Sequence, residues 1–135
     1  MKPSTFTRFA AVLGPLLLLF ATGCSDKVSS GKDWQVANAA DNFQFQVTAL
    51  ENYSKRLEYV WTNTGTAASV NQACSITGGT ATLTINDGAG IRVYARSLKE
   101  NGTFTTATGT SGSWLIRVDL SKTDGTLNFR AQKSP

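Results

Sequence analysis

The chain of 135 residues has no histidine, two cysteines and three prolines, Pro3, Pro15 and Pro135. Without histidine, neither a Ser-His-Asp nor a Cys-His nucleophile system can be assembled, and zinc would have to be held by carboxylates and a thiolate. Phosphate-cradling glycine loops are also absent. No proline lies between residues 15 and 135, so no strand there carries a built-in break in its hydrogen-bond ladder. Long apolar runs are missing as well: "FAAVLGPLLLLFAT", residues 9–22, is 14 residues without a charge. A membrane-spanning helix needs roughly 18 or more.

What is present at the start reads as an export signal. Residues 1–8 carry Lys2 and Arg8 and no acid, and the short apolar stretch follows them. Next comes Ala21-Thr22-Gly23-Cys24, which resembles the lipobox of bacterial lipoproteins. The resemblance implies cleavage before Cys24, a diacylglycerol on its sulfur, and acylation of the new amino terminus by a fatty acid such as palmitate. It implies a bacterial cell-envelope location, with Ser25 after the cysteine fitting export to a Gram-negative outer membrane rather than retention at the inner one. Ala21 departs from the pattern, because leucine is the usual residue three places before the cysteine. The triplet also fits the A-x-A-like site of ordinary secretory cleavage, which would leave Cys24 to pair with Cys74 in an oxidising compartment. Under lipidation, Cys74 is expected to be a buried small hydrophobe.

Removing residues 1–23 takes Lys2 and Arg8 from the thirteen basic residues and none of the nine acids, so eleven face nine and the net charge is +2. The sequence pI of 9.3 is then no argument for a nucleic-acid partner. "SDKVSSGKD", residues 25–33, has the polar composition of a flexible tether. The expected division is a signal peptide over 1–23, a tether over 24–33 and one domain over 34–135.

Within that domain apolar residues recur with period 2. Phe43, Phe45 and Val47 alternate with Gln44, Gln46 and Thr48; Leu57, Tyr59 and Trp61 share a parity, as do Trp114, Ile116, Val118 and Leu120, and then Leu127, Phe129 and Ala131. Further strands are expected around Val70 and Cys74, at 80–85 and 91–98 flanking an Asp-Gly hairpin, and at 103–108. Seven to eight short strands, each with one apolar face, imply an all-β fold, an antiparallel β-sandwich of jelly-roll or Ig-like type.

The tail "GTSGSWLIRVDLSKTDGTLNFRAQ" resembles the closing strands of small exported bacterial β-sandwiches, in which Gly-x-Trp-x-Ile-x-Val precedes an Asp-Gly turn and an Asn-Phe-Arg strand. More loosely, it is similar to jelly-roll accessory domains of secreted proteases. Both resemblances cover roughly the last 55 residues. They imply an accessory or binding role without a catalytic residue, and no cofactor.

Candidate chemistry is sparse. Ser29 and Lys32 have the Ser-x-x-Lys spacing of some acyl-transfer enzymes but lie in the tether. Glu51 and Glu58 can be imagined as a glycosidase pair, and Asp87 and Asp124 as calcium ligands, although all four suit solvated turns and strand ends. Asn52 and Asn101 match glycosylation acceptors and read as turn residues. If Ile91, Val93 and Ala95 face inward, then Arg92, Tyr94 and Arg96 face outward, and the same alternation exposes Arg117 and Arg130. On one sheet these would form a basic patch for an acidic glycan, an acidic envelope protein or membrane phosphate. The ordinary alternative pairs arginines with Glu58 or Asp119. Trp114, by its parity, is a core residue.

The expected protein is a non-catalytic binding or accessory module tied to the membrane through Cys24. A structural subunit of an envelope assembly and a small carboxylate-dependent glycan-active enzyme are the alternatives.

Overall fold

The alternation of phenylalanine with glutamine at 43–46 builds the first part of the core. In the computed structural model, which describes residues 33–135, Phe43, Phe45 and Val47 are fully buried, while Gln44 and Gln46 point to the opposite face. The segments expected to be a signal peptide and a tether, with Cys24, lie outside the described residues up to residue 32. Among the described residues seven strands form, all paired antiparallel: β1 (Asp33–Ala39), β2 (Asn42–Asn63), β3 (Ala68–Gln72), β4 (Ser75–Asn86), β5 (Arg92–Ser97), β6 (Gly102–Thr105) and β7 (Gly112–Lys133).

Two of these strands, β2 and β7, are 22 residues long and create the sandwich. An unbent strand of that length would span about 75 Å. Yet the Asp41 amide, just before β2, donates to the carbonyl of Thr62 near its far end at 2.9 Å. The strand therefore folds back on itself, and Phe43 packs on Tyr59 of the same strand with ring centroids 5.4 Å apart. β7 bends beside it. The β2–β7 register shifts between Val47 and Lys55, and Ala49, Asn52, Lys122 and Gly125 take positive φ there. One layer holds β1, residues 42–47 of β2, residues 125–133 of β7, β3 and β6. The other holds residues 55–63 of β2, residues 112–121 of β7, most of β4, and β5.

The bends are fastened to each other. Asp124 Oδ1 accepts the Asn52 amide at 2.9 Å and Ser54 Oγ accepts the Lys122 amide at 2.9 Å. Between the layers, Trp61, Trp114, Ile116, Leu83 and Phe129 are buried, and Trp61 meets Trp114 edge to face at 6.0 Å.

The antiparallel all-β architecture and strand number agree with the sequence reading, and the strand lengths differ from it. Segments 43–50 and 55–62 are one strand, as are 113–120 and 126–132, because their separating turn residues redirect the chain to the other layer without ending its ladder. β1 lies outside the strands expected from the sequence: "DWQVANA" is held by its pairing with residues 42–48. β4 starts at Ser75, five residues before the expected strand, and passes through Gly78 and Gly79 beside the β7 bend.

Candidate functional site

The structure disperses the expected basic patch, and one residue is the cause. In the β4–β5 ladder Ile85 pairs with Tyr94 and Asn86 with Arg92, which leaves Val93 as an extra, bulged residue. A bulge reverses the side-chain parity beyond it. Val93 and Tyr94 are consequently both buried, whereas Ile91, expected inside, is 62 % exposed. The Tyr94 hydroxyl donates to Gln72 Oε1 at 2.6 Å, and Gln72 Nε2 donates to the carbonyls of Ser97 and Glu100 at 3.0 and 2.6 Å. Burial pushes the Tyr94 phenol up to about 12. It is a satisfied core residue and presents no plate to a ligand.

Arg96 follows Tyr94 in the reversed parity. Its guanidinium lies 3.8 Å from the centroid of the Phe104 ring, and Nη1 donates to Glu100 at 2.7 Å. Its Nε is buried without a hydrogen-bond partner. Arg117 does face outward, in a row with Glu58 and Thr84, and donates to Glu58 at 2.9 Å. One row further along, Arg56 donates to Asp119 at 2.7 Å. The Asp119 hydrogen bond first, and then its charge, raise the Arg56 guanidinium above its usual value. The ordinary pairing alternative therefore describes Arg117 with Glu58 and Arg56 with Asp119 on this face. Arg92, on the same face, is exposed and unpaired among the described residues.

Arg130 belongs to the other layer. The pairings place Ala37, Gln44, Arg130, Asn71 and Thr103 in one outward row. Gln35, Gln46 and Asn128 form the row on one side, and Asn42, Gln132, Ser69 and Thr105 that on the other. These three rows contain no acidic residue. Arg130 is exposed with no ion pair or hydrogen bond among the described residues, and Asn71 Nδ2 donates to Thr103 Oγ1 at 2.8 Å. A guanidinium fork ringed by amides and hydroxyls can bind a carboxylate bidentately and hydroxyls around it. Outward glutamines were legible in "FQFQ"; the rows were not, because they depend on β1 and on cross-strand register.

The calcium candidates are occupied by the protein's own amides. Asp87 is 5 % exposed; Oδ1 accepts the amides of Ala89 and Ile91 at 2.9 and 2.8 Å, and Oδ2 accepts that of Thr110 at 2.8 Å. It clasps the β4–β5 loop to the β6–β7 loop. Asp124 serves the bends, and among the described residues no three His, Cys, Asp or Glu side chains gather as a metal site. Asn101 is a turn residue whose amide brackets Cys74, accepting its N–H at 2.8 Å and donating to its carbonyl at 2.9 Å. Cys74 is buried, accepts the Asn128 amide at 3.3 Å, and burial pushes its thiol up.

The Asp87 clasp makes stability depend on acid. The Thr110 amide first, then those of Ile91 and Ala89, hold the carboxyl below its usual range. A lowered native pKa gives stability that is complete above the unfolded value near 3.9 and lost as pH falls through the native one. An Asp87→Asn variant should melt at a lower temperature at neutral pH, by more than Asp119→Asn, whose partner Arg56 is exposed. Its deficit should shrink as pH drops below about 4. Thermal melts followed by circular dichroism across that range check this; a deficit constant with pH contradicts it.

No family model matches the chain, and no curated protein matches it. Solved structures similar to it include a chain in the structure of infectious bursal disease virus Gt strain, with 16% identity, a TM-score of 0.29, and coverage of 81% of this chain and 32% of that one. A second is the CBM22-1 xylan-binding domain of Paenibacillus barcinonensis Xyn10C, with 14% identity, a TM-score of 0.32, and coverage of 79% and 85%. The chain thus spans about a third of the viral chain's length. Likeness at this level identifies neither a ligand nor a reaction. The class defined by the fold itself is an all-β, antiparallel sandwich. Its two outer faces differ: one carries paired charges, and the other is an amide face around Arg130.

Proposed function

We propose that the protein is a lipid-anchored, non-catalytic binding module of the bacterial cell envelope, and that the amide face around Arg130 takes a carboxylate-bearing glycan. The binding role is carried by one observation: Arg130 stands unpaired at the centre of three rows that contain no acid. Among the described residues Arg56, Arg96 and Arg117 have carboxylate partners, and Arg92, the other unpaired guanidinium, lies on the face that carries Glu58 and Asp119. Flat rows of amides and hydroxyls match the hydroxyl-rich edge of a polysaccharide, and the guanidinium supplies preference for an acidic sugar. The anchor is supported by the short apolar stretch and the small-residue triplet before Cys24.

Two measurements on the full chain test this reading. Mass spectrometry of the membrane fraction should find a peptide beginning at Cys24 with added acyl mass, and Cys24→Ser should abolish processing there; a Cys24–Cys74 disulfide overturns the anchor. Pull-down on immobilised polyuronate and on a neutral polysaccharide should show preference for the former. Arg130→Ala should weaken that binding about ten- to a hundredfold, the share of a charged hydrogen-bonded pair. Equal retention of Arg130→Ala and wild type overturns the assignment of this face.

A further inference from the structure

Trp34 is the second residue of β1, and it shares its parity with Val36, on the side opposite Gln35 and Ala37. Its ring is 5.7 Å from that of Tyr53, in the bend of β2, and edge-on to Phe45 at 6.0 Å. Val36 beside it is 41 % exposed, and Trp34 and Tyr53 are each half-buried. This margin of the sandwich, between β1 and residues 55–63 of β2, is stitched at its other end. There Asn38 Nδ2 donates to the Val60 carbonyl, Trp61 Nε1 to that of Ala39, and the Asp41 amide to that of Thr62, each at 2.9 Å. At the Trp34 end the margin is instead aromatic and partly open to solvent. Lys55 is exposed two residues beyond Tyr53.

The position of this corner along the chain selects its occupant. Cys24 precedes Trp34 by ten residues, which reach at most about 35 Å. A lipid on Cys24 therefore holds this corner within that distance of the headgroups. Indole and phenol rings with a polar edge favour the boundary between headgroups and acyl chains, and a lysine beside them is attracted by anionic lipid. We infer that the corner formed by Trp34, Val36 and Tyr53 rests in the interfacial layer of the bilayer that carries the Cys24 lipid. The inference rests on the anchor proposed above. It also orients the module: Gln35 and Ala37 leave β1 on the opposite side from Trp34, so the amide face around Arg130 stays clear of the membrane.

Tryptophan emission reads this contact directly, because Trp61 and Trp114 are fully buried and Trp34 alone of the three is accessible. The purified full-length product, with acyl mass verified on Cys24, is reconstituted into phosphatidylethanolamine–phosphatidylglycerol vesicles with and without brominated acyl chains. Bromine should remove the emission of one indole of the three, and Trp34→Phe should abolish that loss while the protein stays vesicle-bound and keeps its far-ultraviolet circular dichroism. Equal emission in both vesicles, with Cys24 acylated, overturns the corner and leaves the anchor standing. A loss that persists in Trp34→Phe overturns it too, because another part of the domain then meets the lipid. A product without acyl mass overturns the anchor and the inference together.

Discussion

Truncating Trp114 to alanine is expected to lower the unfolding free energy by about 3–5 kcal/mol, a large part of the 5–15 kcal/mol typical of a domain this size. Trp114 is fully buried, pairs across the ladder with Trp61, and meets its ring edge to face. Its Nε1 donates to the Thr110 carbonyl at 2.8 Å, so the indole also fixes the loop that the Asp87 carboxylate grips from the other side. Alanine leaves a cavity between the layers and takes from the Thr110 carbonyl one of its two donors, the other being the Gly88 amide at 2.9 Å. Urea unfolding followed by far-ultraviolet circular dichroism is the suitable probe, since the variant loses one of its own fluorophores. A midpoint equal to wild type would mean that the face assigned to this strand is wrong.

The burial of Trp114 was legible in the sequence because its alternatives are costly. Any register that exposes it buries Arg117 and Asp119 in its place. The same parity argument fails at 91–98, where Val93 adds one residue to the strand and turns Tyr94 and Arg96 inward. Nothing in "IRVYARSL" marks that bulge; it is set by the five-residue loop closed on Asp87 and by packing against the β6–β7 loop. The candidate site was legible to the same extent. Arg130 and the outward glutamines follow from alternation, but their meeting in rows follows from strand order, which brings residues 44, 130, 71 and 103 together from four strands. In the sequence, Asn52 and the Asp-Gly at 124–125 carry turn chemistry that separates two strands in each case. What it could not convey is that the two turns occur side by side, so that a pair of long strands bends as a unit.

That joint bend gives the other large effect: Gly125→Ala is expected to destabilise the fold by about 2–6 kcal/mol, from a disfavoured backbone conformation and from overpacking. Gly125 has φ +123, and there β7 passes from one layer to the other, paired with Leu50 of β2 on one side and Ile76 of β4 on the other. A Cβ on Gly125 would fall 2.1 Å from the Ser75 carbonyl oxygen and 3.1 Å from the Ile76 Cα, both backbone atoms that no rotamer change can move aside. Relief would require β4 to leave the ladder at Ser75 and Ile76, next to the bracket that Asn101 places around Cys74. Gly90 supplies the control, because its φ is +82 and a Cβ there would meet nothing within 4 Å. Gly90→Ala carries only the conformational cost, about 1–2 kcal/mol. Urea midpoints of the two variants should therefore separate clearly, with Gly125→Ala the lower. Equal midpoints would show that the crossing tolerates a side chain, and that the two long strands are bent by the core on either side of them rather than by the close approach of β4 to β7.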